Sequence, residues 1–335
     1  MYGLLRESLF TLDAERAHSV TLEGLRCLER LGVSRLALGS PPRLERRLFG
    51  LRFRNPVGLA AGLDKDGIAI AGLAALGFGF IEVGTVTPKP QPGSTKPRLF
   101  RLTADQALIN RMGFNNLGVE HLVRRIKDVR SRIADDCPIG VNIGKNKDTP
   151  NEDAAQDYVM CASRVAEVAD YITLNLSSPN TLGLRDLARV ESIAPLLAAV
   201  KRCVEATPLL VKISPDMADD DLEALAKGLK NWGADGVIAT NTTIARPASL
   251  TAREQAQQGG LSGAPLFERS YRTITRIAPH LSGLPLIGCG GVRTAKDAQR
   301  MTEAGASLVQ IYTGLIYEGP QLIHRIVEGL KRSAS

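Results

Sequence analysis

A chain of 335 residues with 44% hydrophobic content and a mean hydropathy of −0.03 is long enough for one barrel of about 250 residues plus an appendage, and its composition excludes a disordered chain. No run approaches the ~18 apolar residues of a membrane span. The formal charge is +7, and ten Arg against six Asp/Glu in residues 1–54 put +4 of that excess into the first sixth of the chain. No RNA- or DNA-binding motif and no aromatic interleaving accompany it, so an anionic membrane surface is the preferred partner and nucleic acid is not.

The N-terminus breaks its apolar run with Arg6 and Glu7, which makes it a poor signal peptide. Residues 1–40 read as two amphipathic helices. Leu4, Leu5, Ser8, Leu9 and Leu12 lie near helical spacing in the first. The second starts at Asp13, a candidate N-cap, and carries Ala17, Thr21, Leu25 and Leu28 on one stripe. A GSPP linker (39–42) follows. A helical cap on the bottom of the main domain is the plainer alternative for this element.

Eight short apolar runs come next: NPVGLAAG (55–62), FIEVGTV (80–86), PIGVNIG (138–144), YITLNLS (171–177), LLVKISP (209–215), GVIATNT (236–242), PLIGCGGV (285–292) and LVQIYTG (308–314). Each is too short for a helix and rich in Val, Ile and Leu without strict alternation, the pattern of parallel strands buried on both faces. Helical patterns lie between them. The expected fold is α/β, a (β/α)8 TIM barrel with a small N-terminal two-helix extension, residues 1–40 and 41–335 forming the two parts. An open doubly wound sheet is the alternative, but no GxGxxG marks the first strand–helix turn. Two connections are long. Residues 87–115 read as a hairpin inserted over the barrel mouth, and 243–263 as a polar, Gly-rich loop.

Polar residues fall late in the runs or just after them: Lys65, Thr85, Asn142, Asn175, Ser178, Lys212, Thr240 and Asn241. The C-terminal ends of parallel barrel strands are where chemistry sits. NLSSPN (175–180) delivers two amides and two hydroxyls there, although Ser, Pro and Asn also make ordinary turns. Lys65 and Lys212 at strand ends call for an anionic partner, either a ligand or a structural ion pair with Asp64 or Asp216. Asn110, Asn142, Asn175, Asn180 and Asn241 each offer a donor and an acceptor, suited to a small heterocycle with imide edges. GCGGV and YTG on the last two runs, with Gly259, Gly260 and Gly263 upstream, point to a phosphate site, though any one glycine could be a turn.

The five cysteines, Cys27, Cys137, Cys161, Cys203 and Cys289, are scattered without a CxxC pair, against a disulfide framework or structural zinc and in keeping with a reducing compartment. The histidines, His18, His121, His280 and His324, are scattered outside the strand ends, so no metal site is expected and none is placed to activate Ser178 in a hydrolase. Asp64 and Asp66 read as turn residues.

Taken together, ERAH, NPVGLAAGLDKDG, GFGFIEVGTVTPKPQPG, PRLFRL, INRMGFNNLG, NIGKNKDTP, NLSSPNTLGLR, VKISPD, IATNTT, GGLSG, GCGG and GASLVQIYTG resemble, in order and over essentially the whole chain, the dihydroorotate dehydrogenases of the quinone-linked, membrane-associated branch. The resemblance implies an FMN enzyme that oxidises (S)-dihydroorotate to orotate in pyrimidine synthesis, with a membrane quinone as final acceptor. It places FMN against Ala61, Gly62, Leu63, Asp64, Lys65, Thr85, Asn142, Asn175, Lys212 and Thr240, with Gly263, Gly291, Tyr312 and Thr313 on the phosphate side. It places dihydroorotate against Lys65, Asn110, Arg111, Met112, Gly113, Phe114, Asn175, Asn180, Asn241 and Thr242. Ser178 matches the family's catalytic base, where the soluble branches carry cysteine, and Thr181 would help carry its proton away. Residues 1–40 resemble the quinone tunnel and membrane contact. A monomer, held peripherally at the cytoplasmic side of the cell membrane, is implied too. Cys289 within GCGG is a small difference, expected to be structural. The competing expectations are a soluble-type enzyme using fumarate or NAD, and a non-redox phosphate-binding barrel such as an isomerase or aldolase.

Overall fold

The computed structural model describes residues 2–30, 41–178, 180, 187 and 190–334. Helices α1 (Tyr2–Phe10) and α2 (Ala14–Arg30) come first. Asp13 caps the second: its Oδ1 accepts from the backbone N–H groups of Glu15 and Arg16 at 2.9 and 3.1 Å, filling two of the bonds a helix start leaves open. Ala17 and Leu22 are the residues α2 buries, and α1 buries none.

A short antiparallel hairpin, β1 (Arg46–Leu48) and β2 (Leu51–Phe53), precedes the barrel. The sequence reading missed it, because three-residue strands are too short to show a period. The remaining strands are β3 (Val57–Leu59), β4 (Phe80–Val86), β5 (Leu99–Leu102), β6 (Ala107–Asn110), β7 (Ile139–Ile143), β8 (Tyr171–Asn175), β9 (Leu209–Ile213), β10 (Gly236–Ala239), β11 (Gly260–Gly263), β12 (Leu286–Cys289) and β13 (Leu308–Ile311). Eight of them, β3, β4, β7, β8, β9, β10, β12 and β13, pair in that order and all in parallel, and β13 returns to β3 to close a barrel. They are the eight apolar runs. Nearly every run continues past its strand, and those surplus residues turn into the barrel mouth.

The strands are buried along their whole length because helices cover the outside. These are α3 (Ile70–Ala75), α4 (Val119–Val129), α5 (Ala154–Val165), α6 (Val190–Val204), α7 (Asp219–Leu229), α8 (Phe267–Ile277) and α9 (Ala295–Glu303), with α10 (Thr313–Glu318) and α11 (Gln321–Ala334) closing the chain. Each shows why it sits as it does. In α4, Val119, Leu122, Val123, Ile126 and Val129 are buried at helical spacing while the other face is charged. Helix α9 opens with a full capping box between Thr294 and Asp297.

Inside the barrel, the end away from the mouth is filled by rings. Phe53, Phe80 and Tyr171 stack edge to face at 5.4 and 6.4 Å. Two glycines make the room: a Cβ on Gly58 would lie 2.2 Å from the Phe80 ring, and one on Gly140 would lie 2.0 Å from that of Tyr171. Leu48, Phe49 and Leu51 of the first hairpin plug this end.

The opposite end is the mouth. The β5–β6 hairpin stands over it, as the sequence reading expected for 87–115. The segment 243–263 is more than a loop, however: it ends in β11, which pairs antiparallel with β6 from Gly260↔Asn110 to Gly263↔Ala107. The four residues GLSG, the last a glycine at φ 96°, carry no strand period, and the pairing partner lies some 150 residues away. Helices α1 and α2 also lie on this side. The β5 residue Arg101 donates to the carbonyls of Leu9 and Leu12, and its guanidinium sits 4.6 Å from the Phe10 ring centre. Tyr2 Oη donates to Ile316 O at 2.6 Å, and Arg98 binds Glu15 at 2.7 Å. The N-terminal helices therefore do not cap the barrel's bottom. Among the described residues no helix is long and apolar enough to cross a membrane.

Candidate active site

Strand β8 is buried throughout, and the chain leaves it through Leu176, Ser177 and Ser178. Parallel register sets Asn175, its last residue, directly beside Lys212 of β9. Together with the other strand ends and the hairpin they wall one open cavity.

On the barrel side the wall is made by Ala61, Gly62, Lys65 and Thr85, then Asn175, Lys212 and Thr240. The ends of β11, β12 and β13 add Gly263, Gly290, Gly291, Tyr312 and Thr313. Positive φ angles of 116° and 79° at Gly290 and Gly291 let the chain turn back tightly against Ser270 and Phe267 of α8. On the hairpin side stand Asn110, Met112, Gly113 and Phe114, and across from them Ser178, Asn180, Asn241 and Thr242. Asn180 Nδ2 reaches Asn110 Oδ1 at 3.3 Å, joining the segment after β8 to the hairpin.

Four residues named from the sequence are not on this wall. Asn142 lies beneath it, fully buried, taking a hydrogen bond from Thr85 Oγ1 at 2.5 Å. Asp64 turns away, and its carboxylate accepts from the backbone N–H groups of Ile68 and Ala69 at 2.7 and 2.8 Å, the work of a turn residue. Burial pushes its pKa up to about 6. Leu63 contributes only its carbonyl, described below. Arg111 points outward, donating to Gln257, Gln258 O and Pro97 O and lying over the Phe100 ring. Thr181 lies outside the described residues.

The charges decide between ligand and structural ion pair. Lys212 is 5% exposed, and its ammonium has no hydrogen bond or ion pair to another described residue. Asp216, the structural alternative, is bound instead by Arg269 at 3.0 Å and accepts from Ile244 N at 2.9 Å. A cation that faces the cavity without a protein partner suits an anionic or acceptor ligand. Lys65 donates to Gly62 O at 2.9 Å, and its pKa is lowered to about 8 by burial.

Several cavity residues escaped the sequence reading. His18 is one: α2 brings it to the wall, where Nε2 lies 2.5 Å from Leu63 O. A carbonyl accepts only, so that nitrogen carries the proton. Burial first, and Lys65 second, hold His18 down to about 4, so the ring is neutral at pH 7. Gln310, Ser262 and Cys289 also line the cavity, and the Gln310 Oε1 is buried without a partner. Only the ERAH motif could have drawn attention to His18, and nothing in the local sequence marks Gln310. The unpaired Lys212 ammonium, the unpaired Gln310 oxygen, the ring of amides and the glycine turns at the ends of β11 and β12 fit a flat, imide-bearing heterocycle with a phosphate arm.

Comparison with known proteins agrees with that fit. The family model described as dihydroorotate dehydrogenase matches residues 43–333. A dihydroorotate dehydrogenase (quinone) of Xylella fastidiosa (strain 9a5c) is 51% identical over 341 residues, covering 99% of this chain and 96% of the relative. One of Xanthomonas campestris pv. campestris (strain B100) is 50% identical with the same coverage. Among solved structures, DHODH from Eimeria tenella in complex with ferulenol superposes with a TM-score of 0.89 at 38% identity, covering 96% of this chain and 91% of that one. The ligand-free form from the same organism gives 0.86 at 39% identity, covering 93% of each. The chain belongs to the dihydroorotate dehydrogenase family.

Proposed function

We propose that this protein oxidises (S)-dihydroorotate to orotate in pyrimidine biosynthesis, with FMN as the resident flavin and a membrane quinone as the final electron acceptor. One observation carries the reading: a buried, unpaired Lys212 and the Ser178 hydroxyl face one cavity from neighbouring strand ends, with Asn110, Asn175, Asn180 and Asn241 around them. FMN supplies a hydride acceptor and a two-electron store that a quinone can empty. Ala61, Gly62, Thr85, Thr240 and Lys212 would hold its ring, Gly263, Gly291, Tyr312 and Thr313 its phosphate side, with Asn142 supporting from beneath.

The chain's own residues do the rest. Ser178 Oγ takes the proton from C5 of dihydroorotate as hydride leaves C6, which makes the double bond of orotate. A serine hydroxyl is a weak base unless its own proton is passed on, and Thr181 is the proposed outlet. The Asn110, Asn180 and Asn241 amides pair with the substrate's imide and carboxylate edges, and Lys65 faces its negative charge. Lys212 offsets negative charge that develops on the ring next to it.

Residues 1–40 form the quinone-access and membrane-contact element, and 41–335 the catalytic barrel. Helices α1 and α2 leave Leu4, Leu5, Val20 and Leu28 exposed and bring His18 to the cavity, which supports an apolar route from a lipid surface. The protein acts as a peripheral monomer at the cytoplasmic face of the cell membrane. The reading is tested by purifying the protein and identifying its cofactor. It should be yellow, release FMN, and bleach on anaerobic addition of dihydroorotate. A colourless preparation, or one that dihydroorotate does not bleach, would count against it.

Two expected results follow from the charges. Replacing Lys212 with alanine lowers the flavin reduction potential or weakens flavin retention, because the offsetting cation is gone. Full occupancy together with an unchanged potential would reduce Lys212 to a structural cation. Orotate affinity should be full below pH 8 and fall as pH rises through the value near 8 of Lys65, because the protonated ammonium is the form that attracts the carboxylate. Titration of orotate between pH 6.5 and 9.5 reads this, and Lys65→Met should flatten the step. A profile identical in the two proteins would contradict it.

A further inference from the structure

We propose that Glu82, buried in the barrel beneath the cavity, is the positioning residue that fixes which way the site's asparagine amides face. The inference rests on the substrate reading given above. The two ends of an asparagine amide are nearly the same shape, so only their partners decide which points where. Glu82 is wholly buried on β4. Its Oε2 accepts from Gln310 Nε2 at 2.8 Å and from Tyr171 Oη at 3.2 Å, and its Oε1 accepts from Asn142 Nδ2 at 2.9 Å. Burial first, and the Glu82 charge second, push the Tyr171 phenol well up, so it remains a donor.

With a carboxylate beneath it, Asn142 must turn its NH2 end inward and its Oδ1 toward the mouth. There Oδ1 accepts from Thr85 Oγ1 at 2.5 Å and from Asn175 Nδ2 at 3.2 Å. Asn175 therefore also points its NH2 inward, with a second bond to Thr85 Oγ1 at 2.9 Å. Its Oδ1 is left to accept from Asn241 Nδ2 at 3.2 Å. The Asn241 Oδ1 is held by Thr242 N at 2.7 Å. Every amide in the series thus has its donor end toward Glu82 and its acceptor end toward the next residue. Reversing one would set two donors or two acceptors face to face in a buried place.

Asn142 does not reach the cavity wall, whereas Asn175 and Asn241 do. A ligand cannot set Asn142 directly, so the polarity enters from below and exists before substrate arrives. A substrate ring with both N–H and C=O edges distinguishes the two settings, because a reversed amide leaves its own group and the ligand's unpaired.

The test compares Glu82→Met with Glu82→Gln by titrating orotate into flavin-loaded protein and following the shift in flavin absorbance. Only loaded molecules report, so partial loss of fold does not mimic weak binding. Glu82→Met should weaken orotate by roughly 10- to 100-fold, the loss expected for one or two buried groups left unpaired. Glu82→Gln should restore binding to within about threefold of the original, since its oxygen can face Asn142 while its NH2 donates to Tyr171 Oη, whose own proton rotates away, and to Gln310, whose amide reverses to present the oxygen that is now unpaired. If Glu82→Met yields no loaded protein, Asn142→Leu cuts the series one link nearer the mouth and leaves Glu82 its other two donors, and the same weakening is expected. Unchanged orotate affinity in Glu82→Met, or in Asn142→Leu where that variant stands in, would overturn the proposal. So would a Glu82→Gln protein as weak as Glu82→Met, which would assign the effect to charge. Failure of the unaltered protein to bind orotate would instead strike the functional reading itself.

Discussion

Ser178→Ala is expected to leave the flavin bound and to slow its reduction by dihydroorotate by roughly 10²–10⁴-fold, the range a positioned general base contributes. The reason is geometric. Ser178 is 5% exposed on the cavity wall, and its Oγ accepts from Asn180 N at 3.3 Å, so its place is fixed by the turn that leaves β8. His18 also reaches the cavity wall, but its Nε2–H is committed to Leu63 O. Anaerobic stopped-flow bleaching measures the step without a quinone. A reduction rate unchanged at neutral pH would remove Ser178 from the chemistry.

The second large effect concerns the N-terminal helices. A chain beginning at Pro41 should separate the two half-reactions. Dihydroorotate should still bleach the flavin, and a small soluble dye should still reoxidise it. Turnover with a long-tailed quinone should fall sharply, and so should binding to anionic vesicles. Leu4 and Leu5 are 73% and 55% exposed, and burying a leucine side chain is worth about 1.5–3 kcal/mol, so losing these two alone costs on the order of 10²-fold in partitioning. The truncation also removes Glu15 from Arg98 and the carbonyls of Leu9 and Leu12 from Arg101, so flavin content is the control that the β5–β6 hairpin remains in place. Full long-tailed quinone turnover in a flavin-loaded truncated protein would make α1 and α2 a structural element only.

The barrel was legible because each of its strands is buried on both faces and therefore spelled by a run of branched apolar residues. The mouth was legible because the same runs change to Lys, Asn, Ser and Thr where the strands end. What stayed hidden depends on contacts between distant segments. β11 is defined by Asn110 and Ala107, not by its own GLSG, and β1 and β2 are too short to alternate. His18 belongs to a helix whose stripe says nothing of a cavity. Asp64 reads from its neighbours as a turn residue and from the resemblance as a flavin contact, and two backbone N–H groups hold its carboxylate in the turn. Glu82 sits within FIEVGTV as a lone charge in an apolar strand, and its meaning appears only once Tyr171, Asn142 and Gln310 are folded around it.

The most direct test of the account is orotate formation by the purified protein with dihydroorotate and one acceptor at a time. A short-chain quinone should support turnover that requires bound flavin, while fumarate and NAD should each support little or none. Turnover with fumarate or NAD equal to that with the quinone, or no orotate formed with any of the three, would contradict it.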